Sequence, residues 1–129
     1  GQVLHLKRGA DTTRVVLDTG MNALIRPSLY EAYHAILPVR AAPTAMTVDV
    51  VGPNCESSDV VGRGRALPAL ASGDVIAIMD SGAYGYALAS NYNSRPRPAE
   101  VVVRGERWWI TREAETWDGL LHGQRLPSV

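Results

Sequence analysis

The chain has 129 residues, of which 46% are hydrophobic and 20% charged, and its 13 basic and 13 acidic residues cancel to a formal net charge of zero. That length implies one domain with a real core, and the composition excludes a disordered chain. Neutrality gives no electrostatic footing for a nucleic-acid or membrane-surface partner, and a single cysteine excludes an internal disulfide framework and a cysteine-rich zinc site.

A reducing, cytoplasmic compartment fits a chain with one thiol. No apolar run approaches the roughly 20 residues that span a bilayer. The opening GQVLHLKRG lacks the apolar stretch of a signal peptide, and Gly1 in place of a Met reads as a scar or a cut point in something longer. The basic residues are lopsided: all are Arg except Lys7.

In chain order, VLHLKR (Val3–Arg8) alternates apolar and polar residues and predicts a strand. TRVVLDT (Thr13–Thr19) is β-branched and predicts a second, with GADT between them as a hairpin turn. Pro27 suits the first turn of a helix, which SLYEAYHAIL would continue until Pro38 stops it. MTVDVVGP (Met46–Pro53) predicts a strand and NCESSD a polar loop, while DVVGRGRALPALASGD, broken by Gly and Pro, reads as irregular. VIAIMD (Val75–Asp80) has the length of a buried strand. SGAYGYALASNYNSRPRP fits a turn and a short helix, AEVVVRG and RWWITR a second hairpin, and ETWDGLLHG a closing helix. About six strands with two or three short helices make a mainly β domain, a barrel or sandwich-like sheet over residues 1–129.

Cys55 and Glu56 lie in the polar loop CESSD. A lone thiol beside a carboxylate is open to four readings: nucleophile, metal ligand, proton donor or inert packing group. His5, His34 and His122 are scattered over predicted regular elements, so neither a Cys-His pair nor a metal signature emerges from their spacing. Arg26 and Tyr30, four apart, would share a helix face, where an Arg fork and a phenol could grip one carboxylate. A surface Arg beside a half-buried Tyr is the commoner meaning of that spacing. Gly82-Ala83-Tyr84-Gly85 presents a tyrosine among small residues, open to close approach by a ligand or another backbone, or simply a tight turn. Trp108 and Trp109 on one strand should place one ring inward and one outward.

Taken in order, LDTGMNALIRPSLYEAYH, VVGPNCESSD and DSGAYGYALASNYNSRPRPAEVVV resemble the C-terminal sheet domain of diaminopimelate decarboxylases, pyridoxal-phosphate enzymes similar in fold to ornithine decarboxylase and alanine racemase. The resemblance runs from about Val3 to Leu121. It implies conversion of meso-2,6-diaminopimelate to L-lysine and carbon dioxide by a homodimer whose active sites lie between subunits. It implies that Arg26 and Tyr30 hold a substrate carboxylate, that Cys55 is the proton donor and Glu56 the binder of the distal ammonium, both in the partner subunit's site. Tyr84 would contact the cofactor phosphate and the substrate. Asn91 and Asn93 match the same loop without an assigned role. A thiol suits the task implied, because a proton must return to the α-carbon after carbon dioxide leaves.

The same resemblance implies a barrel domain that carries the cofactor-bearing lysine and most cofactor contacts. Lys7 lies in a predicted edge strand without that context, and no glycine-rich phosphate loop is present. This chain alone is therefore expected to be inactive, with the barrel on another chain or removed. Two other readings compete: a sister decarboxylase of another basic or diamino acid, and a non-catalytic sheet module. Retention of Arg26, Tyr30, Cys55, Glu56 and Tyr84 together speaks against the module.

Overall fold

The computed structural model describes residues 1–128. Packing separates one compact unit from Gly1 to Ala89 and another from Ser90 onward. The described residues form eight strands, three short α-helices and one 3-10 turn, so the mainly β expectation holds.

The first unit centres on a four-stranded sheet in which β1 (Val3–Arg8) and β2 (Thr13–Leu17) form the expected hairpin. Gly9 N closes its turn on Thr12 O at 3.0 Å. β2 lies parallel to β4 (Met46–Val51), so residues 18–45 must cross over between them. β4 pairs antiparallel with β5 (Val60–Leu67). β3 (Ile36–Pro38) and β6 (Ile76–Ile78) form a separate antiparallel pair. The four-stranded sheet stays open, with β1 and β5 at its edges.

Alternation along the strands sends Val15 and Leu17, Val48 and Val50, and Val61 and Leu67 to one buried face, where Val3, Ile36 and Ile76 join them. Each such side chain contributes roughly 1.5–3 kcal/mol by leaving water. A core of this kind supports the long crossover and the loops that carry polar residues.

Two segments differ from the sequence expectation. The helix begins where Pro27 predicts, but α1 spans only Arg26–Tyr30. Glu31 turns left-handed at φ 54° and ends it, and Ile36–Pro38 pairs instead with β6. Sheet pairing and a buried His34 outweigh the helical spacing of AYHAIL. The glycine-broken stretch after Asp59 is the longest strand, β5. Val48 pairs with Arg65 and Val50 with Gly62, so β5 carries an extra residue there. Gly64, at φ 58°, supplies the left-handed step of that bulge, and Asp49 Oδ1 accepts its N–H at 2.9 Å.

The second unit is a hairpin of β7 (Glu100–Arg104) and β8 (Arg107–Arg112), followed by α3 (Trp117–Leu121). Thr116 Oγ1 caps α3 by accepting from Gly119 N at 3.0 Å. Trp108 and Trp109 are both exposed, at 64% and 47%. The inward-outward expectation fails, since every residue of β8 is exposed. Glu115 organises the unit: it accepts from Arg97 N, Arg97 Nε and Asn91 Nδ2, at 2.8, 2.7 and 2.5 Å. These donors, the Arg97 side chain foremost, lower the Glu115 carboxyl to about 2.

Candidate active site

The crossover between β2 and β4 carries α1 and, at its first residue, Arg26. The Arg26 guanidinium lies 4.3 Å from the centroid of the Tyr84 ring, within cation–π range. On another side its Nη1 is 3.5 Å from His34 Nε2. His34 is 1% exposed, and its Nδ1 lies 2.9 Å from Met79 O. A carbonyl only accepts, so Nδ1 carries the hydrogen and the neutral ring keeps an Nε2 lone pair for Arg26. Met79 is itself pinned, with its N–H on Ala35 O at 2.8 Å. The chain then turns through Ser81, whose single hydroxyl hydrogen is shared between Ile78 O and Met79 O, and Tyr84 precedes the four-residue α2 (Gly85–Leu88). Tyr84 is half exposed. Chain neighbours and the local helix backbone aside, a Cβ at Gly82 or Gly85 would meet nothing within 4 Å, so there is open space beside both.

The Cys55 loop is held by a buried carboxylate. Asp59, 3% exposed, accepts from Met21 N at 2.6 Å, from Asn54 N at 2.8 Å and from Asn54 Nδ2 at 2.8 Å. Asn54 Nδ2 also donates to Asn22 Oδ1 at 3.1 Å. Gly20 and Gly52 make room for this carboxylate, since a Cβ on either would come within 2.4 Å of an Asp59 oxygen. The loop is joined to α1 by Ser28 Oγ, which donates to Ser58 O at 2.6 Å. Cys55 and Glu56 themselves are exposed on it.

The structure therefore brings Arg26 and Tyr84 into contact and ties the Cys55–Glu56 loop to the helix bearing Arg26 and Tyr30. Tyr30 ends that helix and is 62% exposed, while the ring on Arg26 is that of Tyr84. Two clefts, of 420 and 560 Å³, have walls formed by other residues. Arg26, Cys55 and Tyr84 line neither; Cys55 and Tyr84 are exposed and Arg26 is partly buried. Lys7 is exposed on edge strand β1. Among the described residues no group of three or more His, Cys, Asp or Glu could hold a metal ion, and no helix is long and apolar enough to cross a membrane.

Sequence reasoning missed His34 and Asp59. His34 gave a faint signal as a lone imidazole amid apolar neighbours in AYHAIL. Asp59 closes the CESSD stretch, but spacing alone could not show that it faces Met21. Asn91, without a role in the sequence, bonds Arg95 O at 3.0 Å as well as Glu115.

Residues 1–82 match a family described as pyridoxal-dependent decarboxylase, C-terminal sheet domain. The diaminopimelate decarboxylase of Archaeoglobus fulgidus is 49% identical over 116 residues, covering 88% of this chain but 28% of that protein. The crystal structure of diaminopimelate decarboxylase from M. jannaschii in co-complex with L-lysine matches with a TM-score of 0.94 at 42% identity, over 98% of this chain and 29% of that one. The lysine/ornithine decarboxylase of Vibrio vulnificus, complexed with cadaverine, matches at 24% identity with a TM-score of 0.67 and so shares the fold. The chain thus spans under a third of the length of these relatives. It belongs to the family of pyridoxal-dependent decarboxylases, in which it corresponds to the C-terminal sheet domain.

Proposed function

We propose that this chain is the sheet-domain part of a diaminopimelate decarboxylase, converting meso-2,6-diaminopimelate to L-lysine and carbon dioxide. The observation that carries the reading is the arrangement at Arg26: a guanidinium braced by Tyr84 and His34, on a helix hydrogen-bonded to the loop that exposes Cys55 and Glu56.

Diaminopimelate has a charged amino-acid group at each end. Arg26 offers a planar fork for a carboxylate oxygen pair, and the Tyr30 hydroxyl adds a donor to it. Bracing lowers the entropy lost when a long side chain is fixed by its ligand. Glu56 supplies the complementary anion for the distal ammonium. The Cys55 thiol gives a proton to the α-carbon once carbon dioxide has left.

The residues present fit one edge of a pyridoxal phosphate site. Tyr84 is half exposed, its hydroxyl can donate to a phosphate oxygen or to substrate, and the space beside Gly82 and Gly85 is open apart from their chain neighbours. The aldehyde end needs an amine, and the only lysine, Lys7, is on an exposed edge strand. A barrel domain supplies that amine in our reading. When bound, the cofactor provides the electron sink for the bond broken at the α-carbon.

The complete enzyme works as a cytoplasmic homodimer in this reading, with Cys55 and Glu56 reaching the partner's site. The exposed apolar side chains of β7 and β8 support docking of further protein. The test is Cys55→Ala in the complete decarboxylase carrying this domain. Turnover should fall at least a hundredfold while the cofactor's visible absorbance is retained. Wild-type turnover would remove Cys55 from the mechanism.

A further inference from the structure

The buried histidine behind Arg26 is unused by the reaction described above, yet both of its nitrogens have partners. Nδ1 anchors on Met79 O at 2.9 Å, and Nε2 faces Arg26 Nη1 at 3.5 Å. The anchor is rigid because Met79 N is bound to Ala35 O, directly after His34 in the chain, and Met79 itself lies just past β6. Arg26 needs such a brace: it starts a five-residue helix with no side-chain cap, and its second support, Tyr84, sits on an exposed turn.

We propose that His34 is a positioning residue for substrate recognition, its neutral Nε2 orienting the Arg26 fork toward a carboxylate ligand. The inference rests on the reading of Arg26 as the carboxylate binder. At 3.5 Å the contact is at the outer limit of a hydrogen bond, so it steers the guanidinium rather than gripping it. The expected effect is accordingly several-fold, below what a full hydrogen bond to a charged group delivers.

The test uses the complete holoenzyme and two variants that each keep one of the imidazole's bonds. In His34→Asn the amide nitrogen takes the place of Nδ1 and keeps the Met79 bond. In His34→Gln the amide oxygen reaches the place of Nε2 and can accept from Arg26. Steady-state KM for meso-diaminopimelate is read beside calorimetric Kd for pimelate, a dicarboxylate with no amine to react with the cofactor. His34→Asn should raise both about three- to tenfold, with kcat changing less than twofold, and His34→Gln should recover most of the loss. In an Arg26→Ala background the Asn and Gln variants should become equal.

Three results overturn the proposal: His34→Asn binding as tightly as wild type, Gln faring no better than Asn, or the Asn penalty persisting undiminished without Arg26. If His34→Asn does not fold, His34→Gln decides alone: near-wild-type Kd supports the Nε2 contact, and a tenfold rise refutes it. Arg26→Ala with unaltered KM and Kd is a separate outcome. It refutes the carboxylate reading itself and takes the inference with it.

Discussion

Asp59→Asn removes one negative charge from behind the Cys55 loop and barely changes the volume. The carboxylate accepts three hydrogen bonds, from Met21 N, Asn54 N and Asn54 Nδ2, at a side chain only 3% exposed. An asparagine keeps one oxygen. If that oxygen stays on Met21 N, the new amide nitrogen faces two donors from Asn54. Rotating the Asn54 amide relieves one clash, because its Oδ1 is buried without a partner, but it breaks the bond to Asn22 Oδ1. Asn54 N is left without an acceptor in either case. An orphaned buried donor costs about 1–3 kcal/mol, and the charge-assisted bonds lost are the stronger kind. The net weakening of the loop is about 2–3 kcal/mol. Hydrogen exchange in the complete enzyme reads this locally, where global melting of a multidomain protein would not. Amides of Met21 and Asn54 should exchange at least about thirtyfold faster at 2 kcal/mol, while those of Val48 and Val50 in β4 stay protected. Turnover should fall with them, since Cys55 follows Asn54 directly. Exchange within threefold of wild type at both amides would refute the argument that Asp59 holds this loop.

Gly52→Ala places a Cβ about 2.3 Å from both Asp59 oxygens. It should cost at least about 1–3 kcal/mol, read as faster exchange of the same two amides, and unaltered exchange would mean that the carboxylate can move aside. Arg26→Lys replaces a fork with a point charge, so KM for diaminopimelate should rise tenfold or more while the cofactor stays bound; equal KM would remove Arg26 from substrate recognition. Glu115 binds fewer protons folded than unfolded, because its carboxyl is lowered from 4.5 to about 2. Its contribution to the second unit is therefore complete above about pH 4.5 and fades as pH falls toward 2. Glu115→Gln should flatten the acid-induced loss of amide protection around Arg97 across that window, and an unchanged profile would count against the Arg97 pairing.

Local pattern was enough for elements stabilised by near neighbours. VLHLKR alternates, TRVVL is rich in β-branched residues, and the turn between them closes within four residues, Gly9 to Thr12. Pro27 marked the start of α1 for a reason confined to one residue. What failed depended on partners distant in sequence. The end of α1 is set where Ile36–Pro38 finds Ile76–Ile78. β5 was hidden because its glycines look like breakers, yet Gly62 fits against Arg65 and Gly64 supplies a bulge. The site followed the same divide. Arg26, Tyr30, Cys55, Glu56 and Tyr84 were named by resemblance in motif, but the contact between Arg26 and Tyr84 joins two motifs across the fold. The residues behind them, His34 and Asp59, are defined by what they touch.

That hidden layer explains how exposed side chains can be held in place. Cys55, Glu56, Tyr30 and Tyr84 are all exposed, and exposed side chains on loops ordinarily sample many rotamers. Here the backbone beneath them is fixed by buried polar groups. Asp59 and Asn22 hold the Cys55 loop, and His34 locks Met79 before the Tyr84 turn. Polar anchors suit this task because hydrogen bonds are directional, whereas apolar packing fixes volume more than angle. They are also costly to leave half-made. Substitutions in this layer should therefore impair ligand binding, at His34, or turnover, at Asp59, without touching the ligand, whereas changes on the β7–β8 ribbon should act through assembly.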